Sequence, residues 1–243
     1  MVTTDVLIAE PIESEGGQWT HLLLAHAEPG QAIVTARRAA WTSLAFALRA
    51  AAADLLEVEA RELDAGVRLL ATGDRTNLYP EVFLTDVIEN GAGYVTEIAR
   101  PQRFGQLLNT VEALVADWEG THHGCDTACY KCLKDWSNNP YHPLLDWRLA
   151  ADTFEILRYG APRRDRWQST RRAAIRATEV AFGWTRVDSD DAEPVLDTGR
   201  GRTIRVIHPL RNYADALMGG SQQELLADIY NFDRRPGRVY LSV

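Results

Sequence analysis

The chain has 243 residues, 46% of them hydrophobic and 25% charged, which suffices for one sizeable core with or without an appendage. Its formal net charge of −8 excludes a protein that wraps nucleic acid over its whole surface, because neutralising phosphates needs a basic exterior. Only two lysines, Lys131 and Lys134, stand beside 24 arginines.

That scarcity removes several chemistries. Neither lysine follows a glycine, so no phosphate-cradling G-x-x-x-x-G-K loop exists, and no DEAD or DEAH string occurs. ATP hydrolysis by this chain is therefore not expected. A D…E-x-K nuclease, a zinc protease with H-E-x-x-H and a G-x-S-x-G hydrolase all lack their signatures. The opening MVTTDVLIAEPIESEGG has no basic segment leading into an apolar run, so a cytoplasmic protein is expected rather than a secreted one.

In chain order, TDVLIAEPI and QWTHLLLAHA read as strands separated by Glu15-Gly16-Gly17. An Ala-rich helix follows from about Ala32 to Leu56, apolar on nearly every face. Arg37, Arg38 and Arg49 interrupt it, which marks a core helix and not a membrane span. VEARELDAGVRLLA and EVFLTDVI read as two more strands, the second ended by ENGAG, and YVTEIA opens a helix. Phe104, Leu107, Leu108, Val111, Leu114, Val115 and Trp118 then recur at helical spacing.

HPLLDWRLAADTFEILRYG reads as a helix with Pro143 in its first turn and Gly160 just past its end. Beyond residue 160 come an Arg-rich helix, an acidic loop over 188–193, a strand TIRVIHPL, a helix from about Asn212 to Tyr230 and a closing strand GRVYLSV. The expected architecture is α/β of the mixed α+β kind. A sheet packs on the Ala-rich helix in residues 1–160, with an inserted cysteine loop, and residues 161–243 form a smaller α+β appendage.

All three cysteines fall within eight positions, as C-x3-C-x2-C at Cys125, Cys129 and Cys132. Thiolates at this spacing converge on one ion without a long-range fold, and zinc takes four sulfur or imidazole ligands in a tetrahedron. Without a signal sequence, a metal is the expected partner of these thiols rather than a disulfide. His122 and His123 precede the cluster and His142 follows it, so the residues alone leave the fourth ligand open. The same spacing resembles the iron–sulfur loop of radical S-adenosylmethionine enzymes. Lys131 stands where those enzymes carry an aromatic residue, and no repeated βα units precede the loop.

Other features carry weaker signals. Gly91 and Gly93 at a strand-to-helix junction offer backbone N–H groups to a phosphate or simply make a turn. Asp86 is the acid a hydrolase or nuclease would use here. Arg163, Arg164, Arg166, Arg171, Arg172 and Arg176, with Trp167 for stacking, form the candidate contact to DNA, the alternative being a solvated helix paired with the acidic loop. Asp146 and Arg148, two apart on the predicted helix, are expected to pair elsewhere and to buttress the metal loop. His208, beside an apolar strand, reads as a satisfied core histidine.

The stretches FLTDVIENGAGYVTEIA and CDTACYKCLKDWSNNPYHPLLDWRLAAD resemble the MrfA-type zinc-binding domain, which occurs at the C-terminal end of DEAD/DEAH-box helicases and in the DrmB component of DISARM phage defence. The resemblance covers about residues 1–160. It implies a zinc module, with Cys125, Cys129 and Cys132 as ligands, that works in DNA repair or defence. The implied partner is a helicase or a defence-system scaffold subunit, with DNA as a further ligand and no membrane. The H-x-x-L-D-x-R pattern of the DISARM-like branch favours His142 as fourth ligand, with His123 next.

Overall fold

The computed structural model describes residues 6–9, 32–71, 78–87, 92–121, 125, 127–187, 195–199, 201, 203–208, 210 and 224–228. The predicted strand QWTHLLLAHA, the acidic loop 188–193 and the closing strand GRVYLSV lie outside them.

Helix α1 (Ala32–Leu56) is the axis of the protein, with the bounds the sequence predicts. Ala40, Ala45, Ala51 and Ala52 are fully buried, and Trp41, Leu44 and Phe46 nearly so. Alanine loses no rotamer freedom on burial and keeps helix propensity high, so neighbours can approach α1 closely on several sides. Residues Arg37–Leu56 are long and apolar enough to cross a membrane, but most of that span lies inside the protein. A three-stranded sheet and helices α3 and α4 all contact α1.

That sheet has the order β1-β3-β2 and is antiparallel throughout. Strand β2 (Leu63–Ala71) pairs with β3 (Leu78–Asp86) from Leu63↔Asp86 to Ala71↔Leu78. Strand β1 (Val6–Ala9) covers only Val82 to Thr85 of β3. Among the described residues, Pro80 lies beyond the part of β3 that pairs with β1 and faces only Leu69 of β2. Leu63, Ala65, Val82 and Leu84 are buried, which fixes the register through period-two alternation. A 3-10 turn at Ala60–Glu62 delays β2 past the predicted start at Val58.

Helix α2 (Tyr94–Ile98) and helix α3 (Pro101–Thr121) follow, α3 burying Leu107, Val111, Val115 and Trp118. Helix α4 (Trp147–Tyr159) begins later than the sequence predicts. Asn139–Leu144 is a separate 3-10 helix containing Pro140 and Pro143, whose missing N–H groups and fixed φ suit a tight turn better than an α-helical interior. Gly160 ends α4 in the left-handed conformation (φ 81°), as its position suggests.

Helix α5 (Arg164–Phe182) leads to a second sheet of order β4-β5-β6-β7. Strands β4 (Thr185–Arg186), β5 (Val195–Asp197) and β6 (Thr203–Ile207) are antiparallel. Strand β7 (Glu224–Asp228) runs parallel to β6, from Thr203↔Glu224 to Ile207↔Asp228. Over Glu224–Asp228 this corrects the helix predicted from about Asn212 to Tyr230, of which residues 212–223 lie outside those described. ELLAD has ordinary helix propensity, but pairing with β6 overrides that preference.

Candidate metal centre

The cysteine loop joins α3 to α4, and backbone turns shape it before any ion is considered. The N–H of Cys132 donates to the carbonyl of Cys129 (3.1 Å), as does that of Lys134 (3.0 Å). Two further amides aim at sulfur. Cys129 N–H donates to Cys132 Sγ at 3.1 Å, and Lys131 N–H to Cys129 Sγ at 3.3 Å. Such donors favour the thiolate form that binds metals.

The three sulfurs lie within 4.8 Å of one another, with Cys129 and Cys132 4.0 Å apart. Around zinc, sulfurs at about 2.3 Å from the ion would stand about 3.8 Å apart, so little movement is needed to seat it. Burial pushes the Cys132 thiol up to about 12. Burial, and then the neighbouring Cys129, raises Cys125 too. At Cys129 burial acts upward, but the Lys131 amide and the adjacent thiols outweigh it and the net shift is down. A bound cation would displace these protons, and three sulfur donors select a soft metal over magnesium or calcium.

Among the described residues, no histidine or carboxylate joins the three sulfurs. His142 is half-buried, and its Nε2 faces the Asp135 carbonyl (3.0 Å) and Asn138 Oδ1 (2.9 Å). Burial, and then Lys134, lowers its pKa, so the ring is neutral at neutral pH. His122 and His123 lie outside the described residues. The geometry thus gathers the three predicted cysteines and leaves His142 beside them.

What fixes the loop is a set of residues without a sequence signature. Arg49 of α1 forms an ion pair with Asp135 and donates to Ser137 Oγ at 3.0 Å. Asn138, buried, donates from Nδ2 to Leu133 O at 2.7 Å and accepts from Asp135 N–H at 2.9 Å. On the other side, Trp147 donates its N–H to Thr127 O (2.8 Å) and its indole N–H to Cys125 O (3.2 Å). Ser43 of α1 accepts from Asp146 N–H at 2.8 Å and faces Leu144 O at 3.3 Å.

Asp146 and Arg148 pair with each other, against the expectation. Asp146 is the N-cap of α4 with extended backbone, so the helical spacing argument does not govern it. Its Oδ1 accepts from Arg148 N–H (3.0 Å) and Nε (3.2 Å), and its Oδ2 from the guanidinium end (3.2 Å). Both are buried, and by fixing the start of α4 they hold Trp147 against the loop.

Asp86 has a comparable role at the other junction. Its carboxylate accepts from the N–H groups of Gly93 (2.8 Å), Tyr94 (3.1 Å) and Val95 (3.1 Å), capping α2. Gly93 makes this possible by adopting φ 79°. The amides considered for a phosphate are thus turned onto the protein's own buried carboxylate. Gly91 lies outside the described residues.

The Arg-rich helix divides in two. Arg166 is buried and donates to Asp152 Oδ1 from Nε (2.9 Å) and from the guanidinium end (2.8 Å), and it also pairs with Glu155. Burial opposes its charge, but Asp152 and Glu155 outweigh that and raise its pKa above the ordinary arginine range. Arg163 pairs with Glu119 at 2.7 Å, and Arg171 is buried. Arg166 and Arg171 therefore leave the candidate DNA face, while Arg164, Arg172 and Arg176 remain exposed on it. The side chain of Trp167 lies outside the described residues. His208 accepts the Leu210 N–H at Nδ1 (3.1 Å), so its Nε2–H donates to Asp152 Oδ2 (2.8 Å), a satisfied core histidine as read.

Comparison with known proteins bears on the same segment. Residues 44–133 match the family model described as the MrfA Zn-binding domain, a span that includes the three cysteines and stops short of His142. Among curated proteins, the chain is similar to the Druantia protein DruE of Escherichia coli (strain UMEA 4076-1), 32% identical over 120 residues. The alignment covers 49% of this chain and 6% of DruE. No solved structure matches. The sulfur cluster and the family match agree on zinc, and over residues 44–133, a little more than a third of its length, the chain is similar to the MrfA Zn-binding domain family.

Proposed function

We propose that the chain is a non-catalytic, zinc-stabilised module of a multi-protein bacterial defence system. On this reading the ion is structural. The observation that carries it is the attachment of the metal loop, bonded to α1 through Arg49 and Ser43 and to α4 through Trp147. A loop tied down on both sides suits an ion that orders the chain, and structural zinc is closed by four protein ligands. The role of Asp86 as a helix cap supports the non-catalytic reading, since the acid considered for hydrolysis already accepts three N–H groups.

Defence is preferred to DNA repair because the matched relative is a Druantia protein. The resemblance of about residues 1–160 to helicase-linked domains supports a DEAD/DEAH-box helicase or a defence-system scaffold subunit as the docking partner, in the cytoplasm. The test is isolation of the tagged chain from its native host, with metal analysis of the same sample. One zinc per chain, with a helicase or scaffold subunit retained by the wild type and lost from Cys132→Ser, is the expected result. Iron in place of zinc, or recovery of neither partner with fully zinc-loaded protein, would refute the reading.

A further inference from the structure

The metal loop carries two aromatic rings in water. Trp136 is 83% exposed and Tyr130 56%, with ring centroids 5.4 Å apart and planes tilted by 37°. Tyr130 also meets His142 edge-on at 5.7 Å. Large apolar rings are seldom left so open unless something covers them.

The same loop holds both lysines of the chain. Lys131 is exposed and Lys134 half-buried, while Asp135, next in sequence, is turned onto Arg49 of α1. The loop thus gathers both ammonium groups of a chain whose net charge is −8. Its backbone is fixed at both ring positions. Tyr130 lies between two of the zinc cysteines, and Trp136 between Asp135 and Ser137, whose N–H donates to Asp135 at 2.6 Å.

We infer that Tyr130, Lys131, Lys134 and Trp136 form a platform for unpaired nucleic acid. Exposed bases stack on rings of this kind, and ammonium groups beside them meet the phosphates. Preset rings lose little freedom on binding. A protein partner fits less well, because lysine is depleted from the centres of protein interfaces. Duplexes are disfavoured, since their base faces are already stacked. The inference rests on the zinc-ordered loop of the proposed function and not on any protein partner. Metal content reports on that loop separately from oligonucleotide binding.

The experiment is fluorescence anisotropy with zinc-loaded full chain and labelled oligothymidylate or oligouridylate of about 15 nucleotides, against a duplex of equal length. Both single strands should bind at least about tenfold more tightly than the duplex. The ratio between the two single strands assigns the preference to DNA or RNA. Trp136→Ala should weaken binding about tenfold or more at unchanged zinc content, and Trp136→Phe should restore most of it. Lys131→Gln with Lys134→Gln should reduce the salt slope by about 1.4, at about 0.7 per phosphate contact. Arg172→Gln with Arg176→Gln should change nothing. An unaffected Trp136→Ala protein, equal affinity for duplex, or loss of binding in the α5 double variant instead would each overturn the assignment. So would zinc-loaded protein that binds neither single strand, which would make the face a protein-docking surface.

Discussion

Helix α1 buries Ala40, Ala45, Ala51 and Ala52 completely and asks no polar partner of any of them. The loop over 125–146, packed against that helix, buries few apolar side chains and is held by Arg49, Ser43, Asn138, Trp147 and its own thiols. One region is fixed by shape, and the other by directed bonds and an ion. Shape tolerates no added volume, whereas the loop tolerates volume at its exposed rings but not the loss of a single ligand.

Cys132→Ser breaks the comparison most severely. Structural zinc supplies on the order of 10 kcal/mol in small domains, so removing one ligand should release the ion and the loop together. Hydrogen exchange over 125–146 is expected to approach unfolded rates while the amides of α1 stay protected. Equal loss of protection in α1 would mean that the core depends on the metal.

Arg166→Ala asks whether directed bonds matter equally where no metal is involved. It leaves Asp152 and Glu155 buried without their guanidinium, a change that costs about 3–5 kcal/mol in comparable buried pairs. Urea unfolding should show that loss with zinc content unchanged. Ala51→Leu probes the shape-held side. The added methylenes have no space at a fully buried position, and about 1–3 kcal/mol should be lost in the same assay.

The smallest effect concerns alkaline pH. In metal-free protein the Cys132 thiol titrates near 12 instead of its ordinary 9.0, so the folded chain holds that proton more firmly than the unfolded one. The resulting stability is complete below pH 9.0 and drains away as pH rises toward 12. Cys125 acts in the same sense. Cys129, shifted downward, acts oppositely and stabilises above its ordinary value. Thermal unfolding of metal-free protein should therefore move to lower temperature above about pH 9, and zinc-loaded protein, already in the thiolate form, should not follow it.

Local signals explain what was legible. The Ala-rich run defines α1, the spacing of Leu107, Val111, Val115 and Trp118 defines the buried stripe of α3, and Gly160 stops α4. The cysteine cluster was readable because its ligands are neighbours in sequence. Features decided by distant partners were not readable. Strand β7 exists because β6 is beside it, and nothing within ELLAD says so. Arg166 is unavailable to DNA because Asp152 and Glu155 of the preceding helix claim it. Asp146 could have been read as an N-cap from Asp-Trp-Arg after a proline turn, and that reading would have predicted its bond to Arg148.

The two kinds of contact in the loop also differ in when they can form. Its three sulfurs are drawn from eight consecutive positions, whereas its ties to α1 join residues 88 and 103 apart. During synthesis α1 leaves the ribosome first and waits, while the sulfurs can collect an ion as soon as Cys132 emerges. Closing the long chain segments onto α1 then means docking one preassembled unit instead of ordering each residue separately, which lowers the entropic barrier of that late step. Zinc supply at the ribosome would thus set how quickly this protein matures, beyond how stable it finally is.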